Sequence, residues 1–99
     1  MSAYMVVLLR NRNRDWLPGY VAKVPAILRS YGGEYIAVSK SVRRLEGAGD
    51  LPEIIALFSF PSLAHIEEFM SSDEYRPLRK LRQENADADI LIFEGGRTP

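Results

Sequence analysis

Cysteine is absent, which rules out disulfide staples, thiolate nucleophiles and cysteine-ligated zinc, and fits a reducing cytoplasm. A single histidine leaves the chain one side chain that ordinarily titrates near neutrality. Net charge is missing too, because 13 basic residues balance 13 acidic ones. With no global field to draw in nucleic acid or an anionic membrane, neither is expected as a partner, and charge recognition must be local. Long apolar runs are also lacking. The opening MSAYMVVLLR holds a short one, but no basic residue precedes it and an arginine-rich segment follows, so it reads as a core strand rather than a signal peptide or membrane span. No side chains stand at metal-ligand spacing, so no metal and no cofactor is expected. Gly47 and Gly49 lie between two strands and not ahead of a helix, which makes them turn residues rather than a phosphate cradle.

What is present suffices for one domain. A chain of 99 residues buries somewhat over ~60% of the surface its unfolded form exposes, enough to fold without staples. Residues 3–9 favour a strand. From Asn13, a candidate N-cap, apolar residues recur at Leu17, Tyr20, Val21, Val24, Ile27, Leu28 and Tyr31 with the helical period, until Gly32 and Gly33 stop them. Pro25 falls inside that helix and predicts a bend. EYIAVSKSVRRLE alternates, with Ile36, Val38 and Val42 on one side and Tyr35, Ala37, Ser39 and Ser41 on the other, and a bulge or break is expected near Ser41. EIIALFSF follows as an antiparallel strand, then helix LAHIEEFMS, a further helix to about Asn85, and the strand ADILIFEGG.

The order βαββαβ predicts an α+β, ferredoxin-like fold, a four-stranded antiparallel sheet with helices on one face. YMVVLL, IIALF and ILIF are apolar at odd and even positions alike, whereas a sheet with one wet face alternates. The helices cover one face only. A second copy of the sheet is the simplest cover for the other, so a homodimer packed sheet to sheet is expected.

VPAILRSYGGEYIAVSKSVRRLEG and FPSLAHIEEFMSSDEYRPLRKLRQENADADILIFEGG resemble the bacterial family known as domain of unknown function 1330, within the dimeric α/β barrel superfamily. The correspondence spans nearly the whole chain and is most specific at Pro25 with Tyr31, Gly32 and Gly33; at Leu45, Glu46 and Gly47; at Phe60, Pro61 and Ser62; at Ser72, Glu74, Tyr75 and Arg82; and at Glu94 and Gly95. Phe69 stands where the family often has tryptophan or another aromatic, Asp73 where it often has proline, and RNRNRDWLPG is unusually basic and carries an extra Pro18. The resemblance implies the same fold and dimer. Its superfamily includes cofactor-independent monooxygenases, isomerases, haem proteins and ligand-sensing domains, so the fold does not select among them.

SSDEYRPLRKLRQ holds the most concentrated chemistry. With Ser72 as N-cap, Tyr75, Leu78, Arg79, Arg82 and Ala86 share one arc, while Arg76, Lys80 and Gln83 point to solvent. Arg82 on a packing arc needs a counter-charge. An internal ion pair with Glu46 or Glu94 is favoured over a ligand anion, with Tyr75 and Arg82 kept as candidate ligand-binding residues. Tyr35, Ser39 and Ser41 add hydroxyls to an apolar space, a mixture typical of small-molecule pockets. His65 sits off its helix's apolar arc with no serine or second ligand beside it, so an exposed, non-catalytic histidine is favoured over a general base. Arg10, Arg12 and Arg14 would align on one side of an extended chain; a soluble strand end is favoured over a phosphate site. Two functions follow: a small-molecule enzyme working without cofactor, or a non-catalytic ligand-binding or structural dimer.

Overall fold

The computed structural model describes residues 2–96. In chain order it contains β1 (Ser2–Asn11), α1 (Leu17–Ser30), β2 (Glu34–Ser39), β3 (Ile54–Phe60), α2 (Leu63–Ser71), α3 (Arg76–Asn85) and β4 (Ala86–Gly95). The strands form one antiparallel sheet in the order β2-β3-β1-β4. This is the expected α+β, ferredoxin-like arrangement, with the second helical layer divided into α2 and α3. None of its helices is long and apolar enough to cross a membrane.

Period-two alternation decides what each strand buries. Ala3, Met5 and Leu9 of β1 pair across the sheet with Phe60, Phe58 and Ile54 of β3, and this face meets the helices. Val24 and Leu28 of α1, Ile66 and Phe69 of α2, Tyr75 just ahead of α3, and Leu78 of α3 complete that core. The opposite face, led by Tyr4, Val6 and Leu57, has no helix over it. Its β4 members, Leu91 and Phe93, remain 55% and 48% exposed.

Local chemistry sets the ends of the elements. The helix predicted from Asn13 begins only at Leu17, because the Asn13 side chain accepts the Asp15 N–H in a turn of its own. Buried Trp16 follows, its indole Nε1 donating to Asn11 Oδ1 at 3.0 Å and to the Asn13 carbonyl at 2.9 Å. At the far end Gly32 takes a left-handed φ of 81°, letting its N–H reach the Arg29 carbonyl. A side chain there would be strained, and its Cβ would lie 2.9 Å from Pro61 Cγ.

The basic run RNRNR meets three different carboxylates. Arg10 faces Asp89 at 3.9 Å, Arg12 pairs with Asp87 and donates to the Gln83 carbonyl at 2.7 Å, and Arg14 reaches Glu53 at 2.6 Å. Glu53 also accepts the Asn11 N–H. Arg14 first, then that N–H, hold the Glu53 carboxyl below its usual range. These pairs tie β1 to β4 and to the start of β3, as the strand-end reading requires.

Candidate functional site

Between the helices and the sheet lies a cavity of about 140 Å³. Val7, Ala56 and Phe58 form its sheet wall, Trp16 and Tyr20 its α1 wall, and Arg82 enters from α3. A smaller void of about 30 Å³ adjoins it and shares Tyr20, Tyr35 and Arg82, with Tyr75 now in its wall. No aspartate, glutamate or histidine lines either space.

The turn between α2 and α3 aims this chemistry. Ser72 Oγ donates to the Phe69 carbonyl at 2.8 Å and accepts the Tyr75 N–H at 3.2 Å, turning Tyr75 inward at the head of α3. Ser72 is thus the C-cap of α2 and braces the turn, whereas the helix predicted from a Ser72 N-cap starts only at Arg76, with Tyr75 as its N-cap. Arg82 lies two turns further along the same face, 6% exposed, and its Nε reaches Tyr75 Oη at a long 3.4 Å. Tyr75 and Tyr20 hydroxyls are 2.6 Å apart. Since Arg82 donates to Tyr75, Tyr75 can donate to Tyr20, leaving the Tyr20 proton free for the cavity. Burial first, then Tyr75 beside it, push the Tyr20 phenol well above its ordinary pKa, so it remains a donor. Burial raises Tyr35 in the same way, with Tyr75 the next cause. The Trp16 ring stands edge-on to Tyr20 at 4.9 Å, and Tyr35 edge-on to Phe58 at 4.6 Å.

The predicted ion pair is the main correction. Among the described residues Arg82 has no carboxylate within pairing distance; Glu46 is exposed in the loop between β2 and β3, and Glu94 is exposed near the end of β4. Arg76, Lys80 and Gln83 are exposed, as the helix wheel requires. A buried guanidinium without a counter-ion opposes folding. Arg82→Met, which keeps the volume and removes the charge, is therefore expected to leave the unfolding free energy unchanged or raise it by up to about 2 kcal/mol. Denaturant titration measures this directly, and a loss of about 3 kcal/mol or more would mean that Arg82 has a counter-charge in solution.

Tyr35 joins Tyr75 and Arg82 at the cavity, but Ser39 and Ser41 do not. A register shift between Tyr35 and Ala37 puts Tyr35 and Val38 opposite Phe58 and Ala56, on the helix side, and Ser39 on the other. Ser39 and Ser41 are exposed and bond one another, Ser39 Oγ accepting the Ser41 N–H at 3.1 Å. The bulge thus lies near Ile36, while the strand itself ends at Ser39, close to the break expected near Ser41.

His65 also differs from expectation. It is partly buried and does have a serine beside it: Ser62 Oγ lies 2.6 Å from its Nδ1 and accepts its backbone N–H at 3.2 Å. Ser62 is the N-cap of α2, so the contact closes a helix end, away from the cavity. Sequence reasoning missed Tyr20, which it took for an apolar arc position, and Trp16, to which it gave no role. A polar tip on the buried arc was the available signal.

No curated protein matches this sequence. Among solved structures, RPA0582 from Rhodopseudomonas palustris, a protein of unknown function, superimposes with a TM-score of 0.84 at 17% identity, covering 98% of this chain and 84% of that one. SnoaB from Streptomyces nogalater, a cofactor-independent oxygenase, gives 0.71 at 8% identity, covering 98% and 95%. A nipsnap family protein of unknown function from Agrobacterium tumefaciens gives 0.58 at 20%, covering 99% and 91%. At these identities the likeness is one of fold. The family model for "Domain of unknown function (DUF1330)" matches residues 2–96, and the chain belongs to that family.

Proposed function

We propose that this protein binds a small organic molecule in the cavity between its sheet and helices and works as a homodimer, in a reducing cytoplasm as its lack of cysteine suggests. One observation carries the binding role: Arg82 is buried, unpaired by any carboxylate among the described residues, and open to a cavity whose other walls are apolar and aromatic apart from Lys40. A guanidinium kept in such surroundings despite its desolvation cost fits a role in recognition rather than in stability.

The dimer rests on the uncovered face of the sheet. Tyr4, Val6 and Leu57 are partly exposed there and adjoin the exposed Leu91 and Phe93, with Tyr4 stacked on Phe93 at 5.4 Å. A standard stable interface buries roughly 1,600 Å² in total, the scale expected of a sheet-to-sheet contact with a second copy.

Catalysis without a cofactor, in the style of SnoaB, is a second reading favoured by the Arg82–Tyr75–Tyr20 relay, which points donors at a site where negative charge could develop. The cavity walls supply no carboxylate or imidazole to accept a proton, which places binding first. Screening a metabolite library by thermal shift, against wild type and a cavity-filling Ala56→Leu variant, tests the site. Ligands that stabilise wild type by several degrees should lose most of that effect in the variant. Equal shifts in both proteins would place binding elsewhere.

A further inference from the structure

Building on the cavity as a ligand site, we infer that its ligand class is a compact monoanion: a carboxylate or equivalent oxyanion seated on Arg82, carrying one ring or an apolar body of similar size. Four properties of the site lead there.

The first is the missing counter-charge. Arg82 carries five N–H donors on a buried side chain, and among the described residues only Tyr75 Oη meets one of them, at 3.4 Å. A planar carboxylate matches the guanidinium fork with two parallel bonds. The second is the sign of the neighbouring groups. Tyr75 and Tyr20 extend the donor chain from Arg82, Tyr35 adds another hydroxyl, and no acidic side chain lines the space. An anion is complemented on every polar side, whereas the ammonium of a zwitterionic amino acid would find no carboxylate.

The third is size. At about 140 Å³ the cavity approaches the roughly 150 Å³ of an apolar protein cavity known to admit benzene. One ring fits against Trp16, Phe58 and Tyr35, and a second fused ring would have to extend out of the cavity toward the open groove. The fourth is the approach. Leu17, Lys40 and Ile54 line both this cavity and a wider open groove beside it, where Glu53 is paired with Arg14 and the exposed ammonium of Lys40 is the charge an entering molecule passes. A cation at the mouth and another inside favour entry of an anion.

Calorimetric titration of the full chain with benzoate, cyclohexanecarboxylate, benzyl alcohol, phenylalanine and 2-naphthoate tests the assignment. Benzoate and cyclohexanecarboxylate should bind at least tenfold more tightly than benzyl alcohol, phenylalanine or naphthoate. Arg82→Gln should weaken benzoate at least tenfold and leave benzyl alcohol unchanged, with Arg82→Lys falling between wild type and Gln. Circular dichroism establishes that each variant is folded. Benzoate and benzyl alcohol binding alike, or benzoate affinity indifferent to Arg82→Gln, would overturn the anion class. Naphthoate binding as tightly as benzoate would overturn the size limit. Failure of every carboxylate to bind would also overturn the class; the site itself would still stand if neutral library ligands are lost in Ala56→Leu.

Discussion

Phe69→Ala is expected to lower the unfolding free energy by about 3–5 kcal/mol, the range for truncating a fully enclosed aromatic side chain. Phe69 is 2% exposed and sits where α2, α3 and β3 meet. Its ring centroid lies 4.5 Å from Tyr75, 5.9 Å from Phe60 and 6.2 Å from Tyr31. Those rings come from three separate places, the end of α1, β3 and the head of α3, and cannot all close on the space left behind, so the cavity term adds to the lost transfer energy. Domains of this size hold only about 5–15 kcal/mol in total, and the variant loses a large share of it. Urea unfolding followed by circular dichroism gives the number. A loss under about 1 kcal/mol would show that the layer between sheet and helices repacks freely. The same change withdraws support from Tyr75 and should weaken ligand binding as well.

Val6→Lys is expected to convert the proposed dimer into a monomer. Val6 lies mid-sheet on the uncovered face, opposite Leu57 on one side and Leu91 on the other. A two-fold axis through that face brings the new lysine of one copy close to that of the other. Like charges forced together at an interface cost several kcal/mol, on the order of a thousandfold in Kd. In the separated chain the lysine simply meets water, so the fold should persist. Sedimentation at about 10 μM should give twice the chain mass for wild type and the chain mass for the variant, with matching circular dichroism spectra. Wild type sedimenting at the single-chain mass would defeat the sheet-to-sheet arrangement.

Much of the architecture was legible because it rests on periodicity. YMVVLL, EIIALFSF and ADILIFEGG became β1, β3 and β4, and the arc from Leu17 to Leu28 became α1, since apolar spacing reports directly which face is buried. β2 was harder. One extra residue at Ile36 inverts the side on which every later side chain emerges, so the unbroken alternation read in EYIAVS gave the wrong face for Ser39. The start of α1 was misplaced because Asn13 caps a local turn rather than the helix.

The site was legible in part. Tyr75 and Arg82 fall on the packing arc of α3 by helical geometry alone, and both are buried. Whether Arg82 meets a carboxylate depends on where remote loops lie, and Glu46 is carried away by a long β2–β3 connection whose path no local pattern encodes. Tyr20 shows the same limit: its spacing announced burial, but its hydroxyl partner is 55 residues away.

Trp16 gives the protein an optical property. It is the chain's one tryptophan, it is buried, and its indole forms part of the cavity wall edge-on to Tyr20. Its fluorescence on excitation at the red edge of the indole band therefore comes from a single fluorophore in contact with whatever occupies that space. The native chain thus carries its own occupancy gauge, readable in intensity and emission maximum without label or engineered reporter.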